Sequence, residues 1–190
     1  LRESVKLRLH SLGLNTDNMD VVITAGANQA FMNLALALCD STDTAVILAP
    51  YYFSHLLSLQ LCQAKVHIAP FDPKTLLPDW EDLEAYLQSS RPKMVVLTSP
   101  NNPSGLVWGA DDLSRLIDLC RAVDAYLVVD QTYYEFLYGE AQHVFPCGQR
   151  FGYDKVVHVF SMSKVFGMPG WRVGYALYPQ QLTEQMRKIQ

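Results

Sequence analysis

Seven short runs of apolar, largely β-branched residues recur along the 190-residue chain, and helical patterns fill most of the gaps between them. The runs are 21–24, 45–49, 65–69, 94–98, 126–130, 156–160 and 173–178. Such alternation implies a mostly parallel sheet covered by helices on both faces. Residues 27–39 are apolar nearly all round, the pattern of a buried helix. Residues 54–62 and 80–89 give weaker helical patterns. Residues 111–123 open with Asp111 and Asp112, which suit a helix N-terminus, and place Leu113, Leu116, Ile117 and Cys120 on one face. Between residues 160 and 173 there is only a loop containing Gly and Pro, too short for an ordinary crossover helix. The run 173–178 is therefore expected antiparallel to its neighbours. No repeat or long linker interrupts the pattern. The expected fold is one three-layer α/β/α domain, with a mostly parallel seven-stranded sheet and one antiparallel strand.

Composition narrows the function. The net charge is −4 and the pI about 5.7, which argues against a general nucleic-acid binder. No apolar run approaches the roughly 20 residues that span a bilayer, so no membrane partner is expected. The opening LRESVKLRLH is charged and amphipathic, without the apolar core or cleavage site of a secretory signal. Cys39, Cys62, Cys120 and Cys147 form no C-x-x-C pair and read as reduced, mostly buried thiols of a cytoplasmic protein. The five histidines show no ligand spacing, so no metal site is expected.

In open α/β sheets, ligands bind beyond the carboxyl ends of the strands. After the first run comes Gly26-Ala27-Asn28, opening a helix; after the second, Pro50-Tyr51-Tyr52. The fourth is followed by Ser99-Pro100-Asn101-Asn102-Pro103-Ser104-Gly105. The fifth ends in Asp130, with Tyr133 beyond it, and the sixth leads into Ser161-Met162-Ser163-Lys164. Each piece has an ordinary reading on its own. Gly26 and Asn102-Pro103 suit turns, Asp130 suits a cap, Tyr133, Tyr134 and Phe136 suit packing, and Lys164 and Arg172 suit a solvated surface. Their convergence on one edge is the informative feature.

The densest stretch is residues 161–174, which read S-x-S-K-x-x-G-x-x-G-x-R-x-G. An amine, two hydroxyls and a guanidinium lie among glycines that allow close approach of backbone and ligand. Arg172 offers a planar fork suited to phosphate. Lys164, beside another cation, is the kind of lysine that forms imines. With a carboxylate able to pair with a pyridinium nitrogen, the set suggests pyridoxal 5′-phosphate.

On this lysine block, on Asn102-Pro103-Ser104-Gly105 and on the Asp130-x-x-Tyr133 pair, the chain resembles the large domain of fold-type I pyridoxal-phosphate aminotransferases of class I/II. The resemblance runs through nearly all 190 residues. The segments 24–30 and 50–53 look nearest to plant-type aromatic or methionine aminotransferases. The resemblance implies that Lys164 bonds to the cofactor and then shuttles the substrate's proton. It implies that Asp130 keeps the ring nitrogen protonated, that Asn102 and Tyr133 hydrogen-bond the 3′ oxygen, and that Tyr52 stacks on the ring. Ser161, Arg172 and the backbone N–H groups of Ala27 and Asn28 after Gly26 are then the phosphate holders, with Ser163 beside them. Ser104 stands where the family usually has Thr, and Gln131 where Glu is frequent. Amino acids and 2-oxo acids are the implied substrates, and a homodimer the implied assembly.

Family members are about twice this length. The resemblance therefore implies a segment without the N-terminal arm and without the small domain that grips the substrate carboxylate, and little turnover by the segment alone. Two alternatives share these residues or do without them. One is elimination chemistry on the same scaffold, as in lyases or cyclopropane-forming enzymes. The other is a non-catalytic fragment.

Overall fold

Every apolar run becomes a strand in the computed structural model, which describes residues 1–147 and 151–190. The strands are β1 (Met19–Thr24), β2 (Thr44–Leu48), β3 (Lys65–Ala69), β4 (Met94–Thr98), β5 (Tyr126–Asp130), β6 (Val156–Ser161) and β7 (Gly174–Pro179). The helices are α1 (Arg2–Ser11), α2 (Ala27–Leu38), α3 (Phe53–Leu61), α4 (Trp80–Ser90), α5 (Ala110–Ala122), α6 (Met162–Val165) and α7 (Thr183–Ile189). The sheet order is β1-β7-β6-β5-β4-β2-β3, with β5 at its centre. As the short 160–173 connection requires, β7 runs antiparallel to both β6 and β1. The pairings from β6 through β3 are all parallel.

Alternation of side chains across the pleat divides the core in two. Ala45, Ile47, Met94, Val96, Val128, Val157 and Val159 face the layer of α2, α3 and α7. Val46, Leu48, Val95, Leu97, Leu127 and Val129 face α4 and α5, whose Leu83, Leu87, Leu113, Leu116, Ile117 and Cys120 are buried there. Val5 and Leu9 of α1 extend that second layer over β1 and β7, against Phe160, Tyr175 and Leu177. Burying each such side chain stabilises the fold by about 1.5–3 kcal/mol. The central strands thus have no solvent face, and only their ends meet water.

Two sequence expectations are corrected. Helix α2 is not buried all round, since Leu36 is 47% exposed on the side away from the sheet. The segment after β6 is not only loop, because α6 is a single helical turn carrying Lys164, capped by Ser161 through its Oγ accepting from Ser163 N at 3.1 Å. An isolated Ser-x-Ser-Lys turn carries no apolar periodicity, so the pattern of hydrophobic residues could not reveal it. Among the described residues, no helix is long and apolar enough to cross a membrane.

Candidate active site

The carboxyl ends of β1, β2, β4, β5 and β6 open onto one cleft of about 280 Å³. Of the residues singled out in the sequence, Ala27, Asn28, Tyr52, Asn102, Asp130, Tyr133, Ser161, Ser163, Lys164 and Arg172 line it. Gly26 lies just behind, under the guanidinium of Arg172. Thr98, Thr132 and Pro169 also line the cleft and escaped the sequence reading.

Register explains the convergence. Thr24 pairs with Gly174, and Gly174 with Ser161, so three strand ends lie side by side. The start of α2 therefore presses against the loop that carries Lys164 and Arg172. A Cβ on Gly174 would sit 2.5 Å from both Ala27 N and Gly26 C. Gly26 itself has φ +85°, and a Cβ there would meet Arg172 Nη2 at 2.5 Å. Gly174→Ala is thus expected to push α2 off the sheet edge, at about 1–3 kcal/mol. A urea midpoint equal to wild type would contradict this close approach.

Helix α2 starts without a side-chain cap, and its first hydrogen bond runs from Ala30 N to Gly26 O. The N–H groups of Ala27 and Asn28 therefore lack intrahelical partners and border the cleft, a ready anion site. Arg172 holds its place by donating from Nη1 to Pro169 O at 2.9 Å, from a left-handed backbone with φ 52°. The Lys164 ammonium lies 6.0 Å from the ring centre of Tyr133. The ion pairs among the described residues use other cations, leaving Lys164 and Arg172 without a carboxylate partner. Two cations and a bare helix N-terminus thus face one cleft.

Asp130, at the end of the central strand, supplies the opposite charge. It is 5% exposed. Its Oδ1 accepts from Thr132 N at 2.9 Å and Thr132 Oγ1 at 2.7 Å, and its Oδ2 lies 3.0 Å from His55 Nε2. Burial pushes the carboxyl up, but the His55 hydrogen bond and charge and the two Thr132 donors together hold it below the ordinary carboxylate value. His55 reaches it from α3, packed against Phe31 at 4.3 Å and edge-on to Tyr52 at 5.5 Å between ring centres. One helix therefore places both Tyr52 at the cleft and the donor behind Asp130. Sequence reasoning missed His55; its position three residues after Tyr52, on the first turn of a helix, was the available signal. The Asn102 loop is shaped by Asn101, which donates to Pro50 O at 2.8 Å and accepts from Ser104 N and Oγ at 3.1 and 2.8 Å.

A family model for aminotransferase class I and II matches residues 1–190. The chain belongs to that family. It is 40% identical to the aromatic aminotransferase ISS1 of Arabidopsis thaliana over 168 residues, 87% of this chain and 41% of the relative. It is 28% identical to methionine aminotransferase of Escherichia coli over 191 residues, 100% of this chain and 49% of the relative. The solved aspartate aminotransferase of Thermus thermophilus with maleate superposes with a TM-score of 0.89 at 31% identity, covering 99% of this chain and 49% of that one. This aminotransferase-family chain thus spans about half the length of the relatives it matches.

Proposed function

We propose that the chain is the pyridoxal 5′-phosphate-binding large domain of an enzyme that transfers an amino group from an aromatic or methionine-like amino acid to a 2-oxo acid. The observation that carries this is the charge layout of one cleft. The bare start of α2, Arg172 and Lys164 lie in it together with a buried Asp130 held ionised by its hydrogen bonds. A ligand that fits is anionic at one end, bears a carbonyl, and has a protonated nitrogen in its ring. The relatives' aromatic and methionine donors support the substrate class.

When bound, pyridoxal phosphate supplies an aldehyde for the substrate's amine and a pyridinium ring that withdraws electrons from the substrate's Cα. The chain's own residues do the rest. Arg172, Ser161, Ser163 and the N–H groups of Ala27 and Asn28 hold the phosphate. Tyr52 covers the ring and excludes water from it. Asp130, fixed by His55 and Thr132, keeps the ring nitrogen protonated. Asn102 and Tyr133 hydrogen-bond the ring's oxygen. Lys164 carries the proton away from Cα and returns it. Family resemblance supports a homodimer for the intact enzyme.

Titrating the purified chain with pyridoxal 5′-phosphate should give saturable binding with a visible band. In Arg172→Gln, the loss of charge-assisted bonds to phosphate should weaken binding about 10–100-fold, and inorganic phosphate should compete less well. A folded chain that binds no cofactor would remove this reading. Pyruvate or ammonia release by the intact enzyme, without transfer to a 2-oxo acid, would replace it by an elimination.

A further inference from the structure

Gln131 follows Asp130, is 0% exposed and has every type of polar group engaged. Its side-chain Nε2 lies 2.6 Å from His158 Nδ1, and its Oε1 lies 2.9 Å from His143 Nε2. Its backbone N donates to Val159 O at 2.8 Å, and its backbone O accepts from Tyr134 N at 3.1 Å. One residue therefore ties β5, β6 and the 143 loop together, between two cleft residues, Asp130 and Thr132.

The amide has one favourable direction. With Oε1 toward His143, that ring carries its proton on Nε2, and its buried Nδ1, without a partner among the described residues, is a bare acceptor. Reversed, the same Nδ1 would carry an orphaned N–H, the costlier defect. The amide then donates to His158 Nδ1, which must be unprotonated. Both imidazoles are neutral in this arrangement. Burial drives His143 down to about 4, and burial with the neighbouring His143 drives His158 down to about 3.

We infer that Gln131 is a positioning residue, whose amide is clamped between the neutral imidazoles of His143 and His158 and so fixes the turn that presents Asp130, Thr132 and Tyr133 to the cleft. The inference rests on the proposed reading of that cleft only for its effect on cofactor. Among the described residues, Asp17 and Asp154, on the loops before β1 and β6, together with Cys147 and Tyr153, border a cavity that His158 also lines. His143 packs against Phe145 and Tyr134, and Arg8 of α1 and Glu135 lie beyond Tyr134.

Three measurements test this, two of them without cofactor. Nitrogen-15 imidazole spectra of the wild-type chain should show His143 and His158 neutral with the proton on Nε2 at pH 7 and at pH 5.5; a proton on His158 Nδ1 overturns the clamp. Gln131→Met removes both hydrogen bonds at similar volume. The Thr132 and Tyr134 amides should then exchange about tenfold faster while Val96 and Val128 keep their protection. Unchanged Thr132 and Tyr134 exchange, or an equal change at Val96, overturns a positioning role. Gln131→Glu can accept from both rings once His158 moves its proton to Nδ1. It should restore the slow exchange and shift the His158 titration upward, and restored exchange without that shift also overturns the clamp. Cofactor affinity should fall roughly fivefold in Gln131→Met and recover in Gln131→Glu. Failure of the wild type to bind cofactor would sink the proposed function, while exchange and spectra still decide the clamp.

Discussion

Lys164→Ala is expected to abolish amino transfer in the intact enzyme while leaving the fold of this chain unchanged. The side chain stands exposed on the single turn of α6 and has no ion-pair partner among the described residues, so its removal breaks no buried contact. Exposed substitutions of this kind stay within about 0.5 kcal/mol. The chemical effect is of another order. A positioned proton carrier alone is worth about 10²–10⁴-fold, and Lys164 is the amine of the cleft. The visible band of the cofactor-loaded chain should vanish, although phosphate contacts still hold some cofactor. Added small amines should restore part of the transfer rate, since the missing group is a base and not a scaffold. A variant that keeps the wild-type band would show that another amine bonds the cofactor, and the role given to Lys164 would fall.

Most of the fold was legible because it depends on patterns short enough to read locally. Residues 94–98 and 126–130 are apolar without a polar face, and the structure buries both of their faces. The antiparallel β7 followed from the length of one loop. The cleft was legible for the same reason, since ligands gather where parallel strands end and the sequence displays those ends in order. What stayed hidden needs knowledge of which helix lies against which strand. His55 meets Asp130 across 75 positions of sequence, and Gln131 meets His158 across 27. No periodicity encodes such pairings, which arise from the order β6-β5-β4-β2 and from α3 beginning just beyond the end of β2. Gly174 was visible as part of a motif, yet the reason for it, the backbone of Gly26 and Ala27 lying against it, appears only in three dimensions.

Asp130→Asn separates charge from shape at the centre of the site. The amide keeps an oxygen for the two Thr132 donors, but His55 Nε2 can accept from the new N–H₂ only by moving its proton to Nδ1, which is buried without a partner among the described residues. The fold should survive with a loss of about 1–3 kcal/mol. Amino transfer should fall on the order of 10²–10³-fold, the range for removing one preorganised electrostatic partner. Asp130→Ala strands three donors, the buried His55 Nε2 and the half-buried Thr132 N and Oγ1, and should lose stability as well as activity. Acid titration gives an independent signature. Because the folded Asp130 carboxyl titrates below its ordinary value of 3.8, the unfolded chain takes up the proton first as pH falls. Its contribution to stability is therefore whole above 3.8 and is lost as pH drops through the lower folded value. The Asn variant lacks this step, so its stability should decline less steeply than wild type over that acid range. Equal acid slopes would show that Asp130 is not held ionised by His55 and Thr132. Full amino transfer by the Asn variant would show that no fixed negative charge is needed opposite the ring nitrogen, and the layout of the cleft would then have to be read without it.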